Sequence, residues 1–431
     1  MTPHRSRFTD TAIKAASSRL RAWGAFCGVW LSIFALRSSW TVEDTLFNSI
    51  LIPAFLQERA MNVGTIPFVF DLLRPDDLCF VKDASGRILP VHPVGMLVFA
   101  APIQVTLWIA AWMSGASVDV TTTDFIQTRF LVEKLSASLL TTLSVFYLHF
   151  TLVMFVPYRT SIALSALYTF GSSSLSTLSQ GLWPHTGINL ILIYLAYSLL
   201  RENAVMTRAR ECIFFGALGM LCSIRPTAIP FAAIFGLAYL IRFGCPRLGS
   251  FFAGLLTIIP TLWWNLALFQ HVLGGYTHFA HRRIDIQPTH ILSRLQLILF
   301  SPYRGLLIFN PFLIFSLWSY KPLRALPTHR RTIFVALGSC ILCHYFLCST
   351  NPEWHGGYTF GPRYMLDVLA PSFLIAGIGY NSVLSRFPKL TDTITVLIVV
   401  LSVALHMFGV LGDRLPLVAL NDLYRRLLVP Q

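Results

Sequence analysis

Charge is what this sequence has least of. Of 431 residues only 12% are Asp, Glu, Lys or Arg, against about 25% in an ordinary soluble domain. No stretch longer than about fifty residues has the composition of a soluble surface, which excludes a string of soluble domains. Acids are scarcer still, 19 against 33 Lys and Arg, for a net charge of +14. The cations lie in short loops between apolar runs. That is the positive-inside pattern of membrane proteins, so no nucleic-acid partner is expected. The runs do not alternate in polarity, which argues against a β-barrel. Of the eight cysteines, Cys27, Cys212, Cys222, Cys340 and Cys343 fall inside apolar runs, and no pair has metal-ligand spacing with histidine support. The Cys340/Cys343 pair is expected to pack within a helix. The basic start, Met1 to Arg21, is not followed by an A-x-A site, so no cleavable signal peptide is expected. No internal repeat is visible, nor an inverted pair of Gly/Pro-broken helices such as many secondary transporters carry.

What is present is length and apolarity, with 55% hydrophobic residues. Repeated runs predict an all-α polytopic membrane protein of about eleven or twelve transmembrane helices, forming a single transmembrane domain over 1–431. Residues 1–21 read as a cytoplasmic basic lead-in. The first span is Trp23 to Leu36, followed by a large first extracytoplasmic loop, 38–92, whose apolar patches suggest short interfacial helices. Further runs are Val94–Met113, Phe130–Val156, Ile162–Thr177, Gly187–Leu200, Cys212–Ile224, Ala228–Ile241, Phe251–Phe269, Gly305–Trp318, Ile333–Cys348, Met365–Tyr380 and Ile394–Val410. From Arg201 onward every basic loop falls on one side. Before it the parity is open: either Tyr158–Thr160 is an outer loop with one arginine, or Val94–Met113 does not fully cross. Segments 274–303 and 350–364 read as outer loops and 411–431 as a short tail, with no sizeable C-terminal soluble domain expected.

On the outer side, where few cations belong, this topology gathers His185, Arg225, Tyr276, His278, His281, Arg282, Arg283, Arg294, Arg304, Glu353, His355, Arg363 and Tyr364. Bland explanations exist for several. Arg225 suits a snorkelling residue, Arg282 and Arg283 a lipid-headgroup contact, and His185 an interfacial histidine. Arg304 and Arg363 sit between Gly and Pro, in SPYRG and GPRY, at membrane depth, where ionisable groups are functional by default. An anionic ligand at the interface accounts for the set, and the arginine fork suits a phosphate. Asp76, Asp77 and Asp83 show no ligand spacing, so neither a metal nor another cofactor is expected.

The stretch Ser38 to Asn48, SSWTVEDTLFN, places Glu43 and Asp44 where the chain leaves the first span. An acid there is well placed to accept a proton. The same residues suit the first turn of a helix running through Leu51.

These stretches together resemble the GT-C superfamily of polytopic glycosyltransferases, in particular the bacterial branch similar to dolichyl-phosphate-mannose protein mannosyltransferases. The matching pieces are VED at 42–44, HPVG at 92–95 with Pro102, LWPH at 182–185, RPT at 225–227, Asn265 to Tyr276, SPYRGLL at 301–307 and WHGGYTFGPRY at 354–364. The resemblance implies an inverting transfer from a polyprenyl-phosphate-linked sugar donor to a glycan, lipid or protein acceptor, on the extracytoplasmic side of a cell (inner) membrane. It implies Asp44, or Glu43, as base. Arg363, Arg304, Arg225, Arg282 and Arg283 would hold the donor phosphate, and His185, Tyr276, His355 and Tyr364 would contact substrate. HPVG lacks the aromatic and second proline of the usual pattern, and the acidic pair reads Glu-Asp where relatives often read Asp-Glu. A transporter or flippase of a lipid-linked anion would use the same outer arginines without needing the acid. A lipid-linked oligosaccharide ligase usually keeps its largest outer loop late in the chain, whereas here the first is largest.

Overall fold

The computed structural model describes residues 23–36, 43–58, 80–82, 86–115, 123–201, 206–279, 284–356 and 359–411, and of Glu43, Asp44 and His278 only the backbone. The lead-in 1–21, Asp76, Asp77, Asp83, His281, Arg282, Arg283 and the tail from 412 lie outside the described residues.

Among the described residues the chain is all-α apart from one antiparallel hairpin, β1 (Phe80–Lys82) on β2 (Ile88–Pro90), in which Val81 pairs with Leu89. The helices are α1 (Trp23–Ala35), α2 (Glu43–Glu58), α3 (Leu97–Met113), α4 (Thr123–Leu152), α5 (Tyr158–Phe170) and α6 (Pro184–Arg201). There follow α7 (Arg208–Ile224), α8 (Ile229–Phe243), α9 (Leu248–Phe269), α10 (Pro288–Phe300), α11 (Leu306–Phe309), α12 (Tyr320–Arg324), α13 (Thr328–Ser349), α14 (Leu369–Leu384) and α15 (Pro388–Leu411). Among the described residues seven helical segments are long and apolar enough to cross a membrane, as a multi-pass membrane protein requires. Their outward faces are apolar: Phe252, Leu256, Ile259 and Trp263 of α9 are all exposed. In lipid such a face needs no protein partner.

α6 is the central helix, buried over most of its length. Its Asn189 ties three elements together: Nδ2 donates to Tyr168 Oη of α5 (2.7 Å), and Oδ1 accepts from the Ala370 amide of α14 (2.8 Å). In a low-dielectric interior such a fully used amide fixes the register of its neighbours. α7 and α9 approach through small residues, since a Cβ on Gly219 would lie 2.2 Å from the Gly254 carbonyl oxygen.

Side-chain contacts fix helix direction. Phe26 packs on Phe146, Trp30 Nε1 donates to Ser138 Oγ, and Lys134 reaches the Leu36 carbonyl, so α1 and α4 are antiparallel. Lys134 contacts Gln180 just before α6, while Tyr147 contacts Tyr194 and Tyr197 within it, so α4 and α6 run in parallel. The turn after α4 places Phe155 beside Phe334 and under Arg330, among the basic loops. This puts Tyr158–Thr160 at the end of the bundle that carries Arg330, so of the two open alternatives the outer loop is the one disfavoured. The end of α1 and the start of the buried part of α4 share the other end of the bundle. An even number of crossings must separate them. α3 begins at that same end, where Gly95 abuts Ser223 and Ile224, so α3 cannot be a lone crossing.

Three expected spans are broken. Ile162–Thr177 is not one helix: α5 stops at Phe170 and a single π-helical turn, Ser174–Leu178, follows Gly171. The serine hydroxyls there compete for backbone groups, as Ser172 Oγ does for the Tyr168 carbonyl. Gly305–Trp318 is α11 followed by a 3-10 segment, Pro311–Trp318, because Pro311 cannot continue the helical ladder. Met365–Tyr380 begins inside a 3-10 turn, Arg363–Val368. The breaks pack on one another: the Ser173 amide donates to Asn310 Oδ1 (3.1 Å), and Thr177 Oγ1 donates to the Phe360 carbonyl (2.7 Å). Irregular backbone survives at membrane depth only when buried against protein in this way. The outer segment 274–303 is likewise not all loop, since α10 occupies much of it.

Candidate functional site

The broken elements converge on a buried carboxylate, Asp367, in the 3-10 turn ahead of α14. Its Oδ1 lies 2.7 Å from His185 Nδ1 and its Oδ2 3.3 Å from His344 Nε2. Arg225 Nη1 is 4.0 Å from Oδ2. The four groups come from four places: the start of α6, the end of α7, the middle of α13 and the turn before α14. His344 Nε2–H also donates to the Tyr364 carbonyl (2.5 Å), which fixes its tautomer.

Each position has a local cause. Pro184 starts α6, where its missing amide costs nothing, and sets His185 on the first turn. Arg225 is held extended (φ −160°, ψ 133°) between α7 and a turn opened by Pro226. Its guanidinium lies 5.6 Å from the Tyr364 ring, and Tyr276 is near enough to interact with it electrostatically. Its Nε is buried without a hydrogen-bond partner among the described residues.

Arg363 also lies beside Tyr364. Its guanidinium stacks 4.3 Å over Trp183, sits 5.8 Å from the Tyr364 ring and donates from Nη1 to the Gly356 carbonyl (3.1 Å). Gly356 (φ +75°) and Gly361 (φ +80°) both adopt the left-handed region, and a Cβ on Gly356 would lie 3.1 Å from Arg363 Cβ. Gly356 and Gly361 of WHGGYTFGPRY therefore shape the backbone on either side of this arginine's contacts. Arg304 braces the same loop from SPYRG: Nη1 donates to the Gly361 carbonyl (3.1 Å) and Nη2 to Tyr303 Oη (2.8 Å). His92 of HPVG meets Tyr276, Nδ1 to Oη 3.2 Å.

The structure thus brings together His185, Arg225, Tyr276, Arg363 and Tyr364, with Arg304 one loop away. His355 is half-buried beside Trp354 (ring centroids 6.0 Å), next in the chain to Gly356, whose carbonyl accepts from Arg363. Arg282 and Arg283 lie outside the described residues. Glu43 and Asp44 open α2, as the helix-start alternative expects. Two contacts bring α2 to the site: Asn48 Nδ2 donates to the Leu182 carbonyl (2.9 Å), and Thr45 packs beside Gly181. Trp183, which stacks on Arg363, is the next residue.

Sequence reading missed Asp367, His344, Glu133 and Lys134. All four lie inside runs taken as plain spans. The available signal was the ionisable side chain itself, rare within an apolar run and rarely idle there. Among the described residues no group of His, Cys, Asp and Glu has the arrangement of a metal site. No protein-family model matches the chain. No curated protein matches it either.

Proposed function

We propose that the protein is an inverting glycosyltransferase that moves a sugar from a polyprenyl-phosphate donor to an acceptor hydroxyl or amine at the extracytoplasmic face of a membrane. One observation carries this reading. Arg225 and Arg363, far apart in sequence, both lie within 6 Å of the ring of one half-buried tyrosine, Tyr364 (5.6 and 5.8 Å), at one end of an apolar bundle, with His185 beside the same ring (6.1 Å between centroids). Arg363 is buried and Arg225 largely so, with Arg225 near a carboxylate, at 4.0 Å; such a pair suits a further anion, and the surrounding helices offer apolar faces for a polyprenyl tail. Charge grows on the phosphate as the anomeric C–O bond breaks. Arg225 and Arg363 stabilise that charge, and Arg304 holds the loop that positions Arg363. The acceptor oxygen attacks the anomeric carbon as its proton passes to Asp44, with Glu43 as the alternative base. One base is sufficient for inversion. The family assignment to GT-C enzymes rests on the motifs that meet here.

The test is sugar release from polyprenyl-phosphate-mannose, -glucose and -arabinose by purified protein in nanodiscs, with wild type beside Asp44→Asn, Glu43→Gln and Arg363→Ala. Turnover that falls about a hundredfold or more in one acid variant while donor binding survives supports transfer with that acid as base. Donor binding without turnover, unaffected by either acid, instead makes the protein a carrier of lipid-linked anions.

A further inference from the structure

Two adjacent residues on α4, Glu133 and Lys134, are both buried and charged, and they do not pair with each other. Lys134 Nζ uses its three protons on the Leu36 carbonyl (2.8 Å), the Ser179 carbonyl (3.2 Å) and Gln180 Oε1 (2.8 Å). Glu133 Oε1 accepts from Ser49 Oγ (2.8 Å), and its ion pair with Arg129 is long, at 3.7 Å. Leu36 is where the chain leaves α1. Ser49 lies in the second turn of α2. The two side chains therefore hold the end of α1 and the second turn of α2, the helix that Glu43 and Asp44 open. Gln104 of α3 adds a third tie: Nε2 donates to the Ser49 carbonyl (2.7 Å) and the Asn48 carbonyl (3.2 Å). The Lys134 tie to Ser179 and Gln180 fixes the run that continues through Trp183 to His185.

Structure alone does not call for this arrangement. Burying a lysine and a glutamate costs several kcal/mol each, and apolar side chains of similar size would pack α4 against α1 and α6 without that cost. Ionisable groups persist at such depth where they serve a site. Glu133 Oε2, moreover, is buried without a hydrogen-bond partner among the described residues, which a purely structural link would avoid.

We propose that Glu133 and Lys134 are positioning residues that hold the start of α2, the helix that Glu43 and Asp44 open, beside the Leu182–Trp183 run that reaches the arginine site. Lys134 holds the end of α1 and the run from Ser179 towards His185, and Glu133, with Gln104, holds α2 through Ser49. The clamp acts through the acid it places and does not touch substrate. It rests on the glycosyl-transfer reading, but part of its test needs no substrate.

The experiment pairs hydrogen–deuterium exchange with steady-state kinetics on full-length protein in nanodiscs. Variants are Ser49→Ala, Ser49→Thr, Gln104→Leu, Glu133→Gln and Lys134→Met. In Ser49→Ala and Lys134→Met, deuterium uptake over 43–58 rises while uptake over α6 residues 188–200 is unchanged. Their kcat on the polyprenyl-phosphate sugar that wild type uses falls ~10- to 100-fold, the scale of an ångström-sized misplacement, with donor KM within about twofold. Ser49→Thr and Glu133→Gln, which keep a hydroxyl donor and an oxygen acceptor, recover most of that loss. Unchanged uptake over 43–58, or raised uptake with kcat unaltered, overturns the clamp. If Lys134→Met does not fold, Ser49→Ala and Gln104→Leu decide by the same two readouts. Absence of turnover by wild type refutes glycosyl transfer and leaves the exchange result to stand or fall by itself.

Discussion

His185 Nδ1 lies 2.7 Å from Asp367 Oδ1, although the two residues are 182 positions apart in the chain. Each is almost entirely buried. The pair joins the first turn of the central helix to the turn that carries Arg363 and Tyr364, so one hydrogen bond sets the spacing between two of the motifs.

Replacing Asp367 by Asn keeps the shape and removes the charge that faces His185, His344 and Arg225. Removing one partner of a buried charged group leaves the others uncompensated, a loss of about 3–5 kcal/mol. Asp367→Asn is expected to lower the thermal midpoint in detergent by several degrees and to abolish most donor turnover. Asp367→Asn with His344→Gln should lose less than the sum of the singles, because the two share one interaction. Thermal unfolding of the four proteins of that cycle is the measurement, and strict additivity would contradict the shared site.

Much of the fold was legible because apolar runs report helices directly, and the motifs HPVG, LWPH, RPT, SPYRG and GPRY do meet at one end. What was not legible follows from depth. A hydropathy run cannot show that Ser172 to Gln180 turns through a π-helical kink, because several hydroxyls there, those of Ser173, Ser176 and Thr177, meet buried partners far away in the chain that sequence does not reveal. Ser176 Oγ, for example, bonds His406 Nδ1 (2.8 Å), 230 positions away. Asp367 escaped for the same reason: an acid three residues into a presumed span looks like a boundary residue until His185 and His344 are seen against it. Run counting shows the α3 region only as a parity conflict, with two ways to resolve it, and cannot choose between them. Contacts of α1 with α4 make that choice.

Arg363 is expected to be intolerant even of lysine. Its planar group stacks on Trp183 at 4.3 Å while donating to the Gly356 carbonyl. An ammonium keeps the charge but loses the stacking plane and the fork. Arg363→Lys should weaken donor binding by tenfold or more, and Arg363→Ala further, at similar thermal midpoints. Binding of a polyprenyl-phosphate sugar followed by calorimetry in nanodiscs checks this. Full retention of affinity in Arg363→Lys would remove the guanidinium from the donor site.

Gly361→Ala probes the loop rather than the charge. The residue sits at φ +80°, and a Cβ there would meet Phe309 Cδ1 at 3.1 Å and Ser173 Oγ at 3.3 Å. Left-handed backbone costs a side chain about 1–3 kcal/mol, and the two contacts add crowding. Because the Gly361 carbonyl accepts from Arg304, the displaced loop should also raise donor KM while the rest of the bundle stays folded. Thermal midpoint and KM measured together should both move. A change in neither would mean that the loop is freer than its geometry implies.

The segment before α10 offers a pH test outside the membrane spans. Asp285 Oδ2 accepts from Arg294 Nη2 (2.6 Å), Oδ1 from the Gln287 amide (3.1 Å), and Oδ2 lies 2.8 Å from His290 Nδ1. The Arg294 hydrogen bond first, then the Gln287 amide and His290, hold its carboxyl well below the usual carboxylate range. The Asp285 amide in turn donates to the Thr350 carbonyl (2.7 Å), fastening this segment to the end of α13. A carboxyl whose folded value is depressed contributes stability that is complete above its unfolded value of about 3.9 and is lost as pH falls below it towards the folded value. Protection of amides in 284–296, corrected for intrinsic exchange, should therefore be level from about pH 8 to pH 5 and decline only below about pH 4. Asp285→Asn should show low protection throughout, with no decline left to lose. A wild-type decline centred near neutrality would take the control away from Asp285, since an Asp with this set of donors is not protonated there.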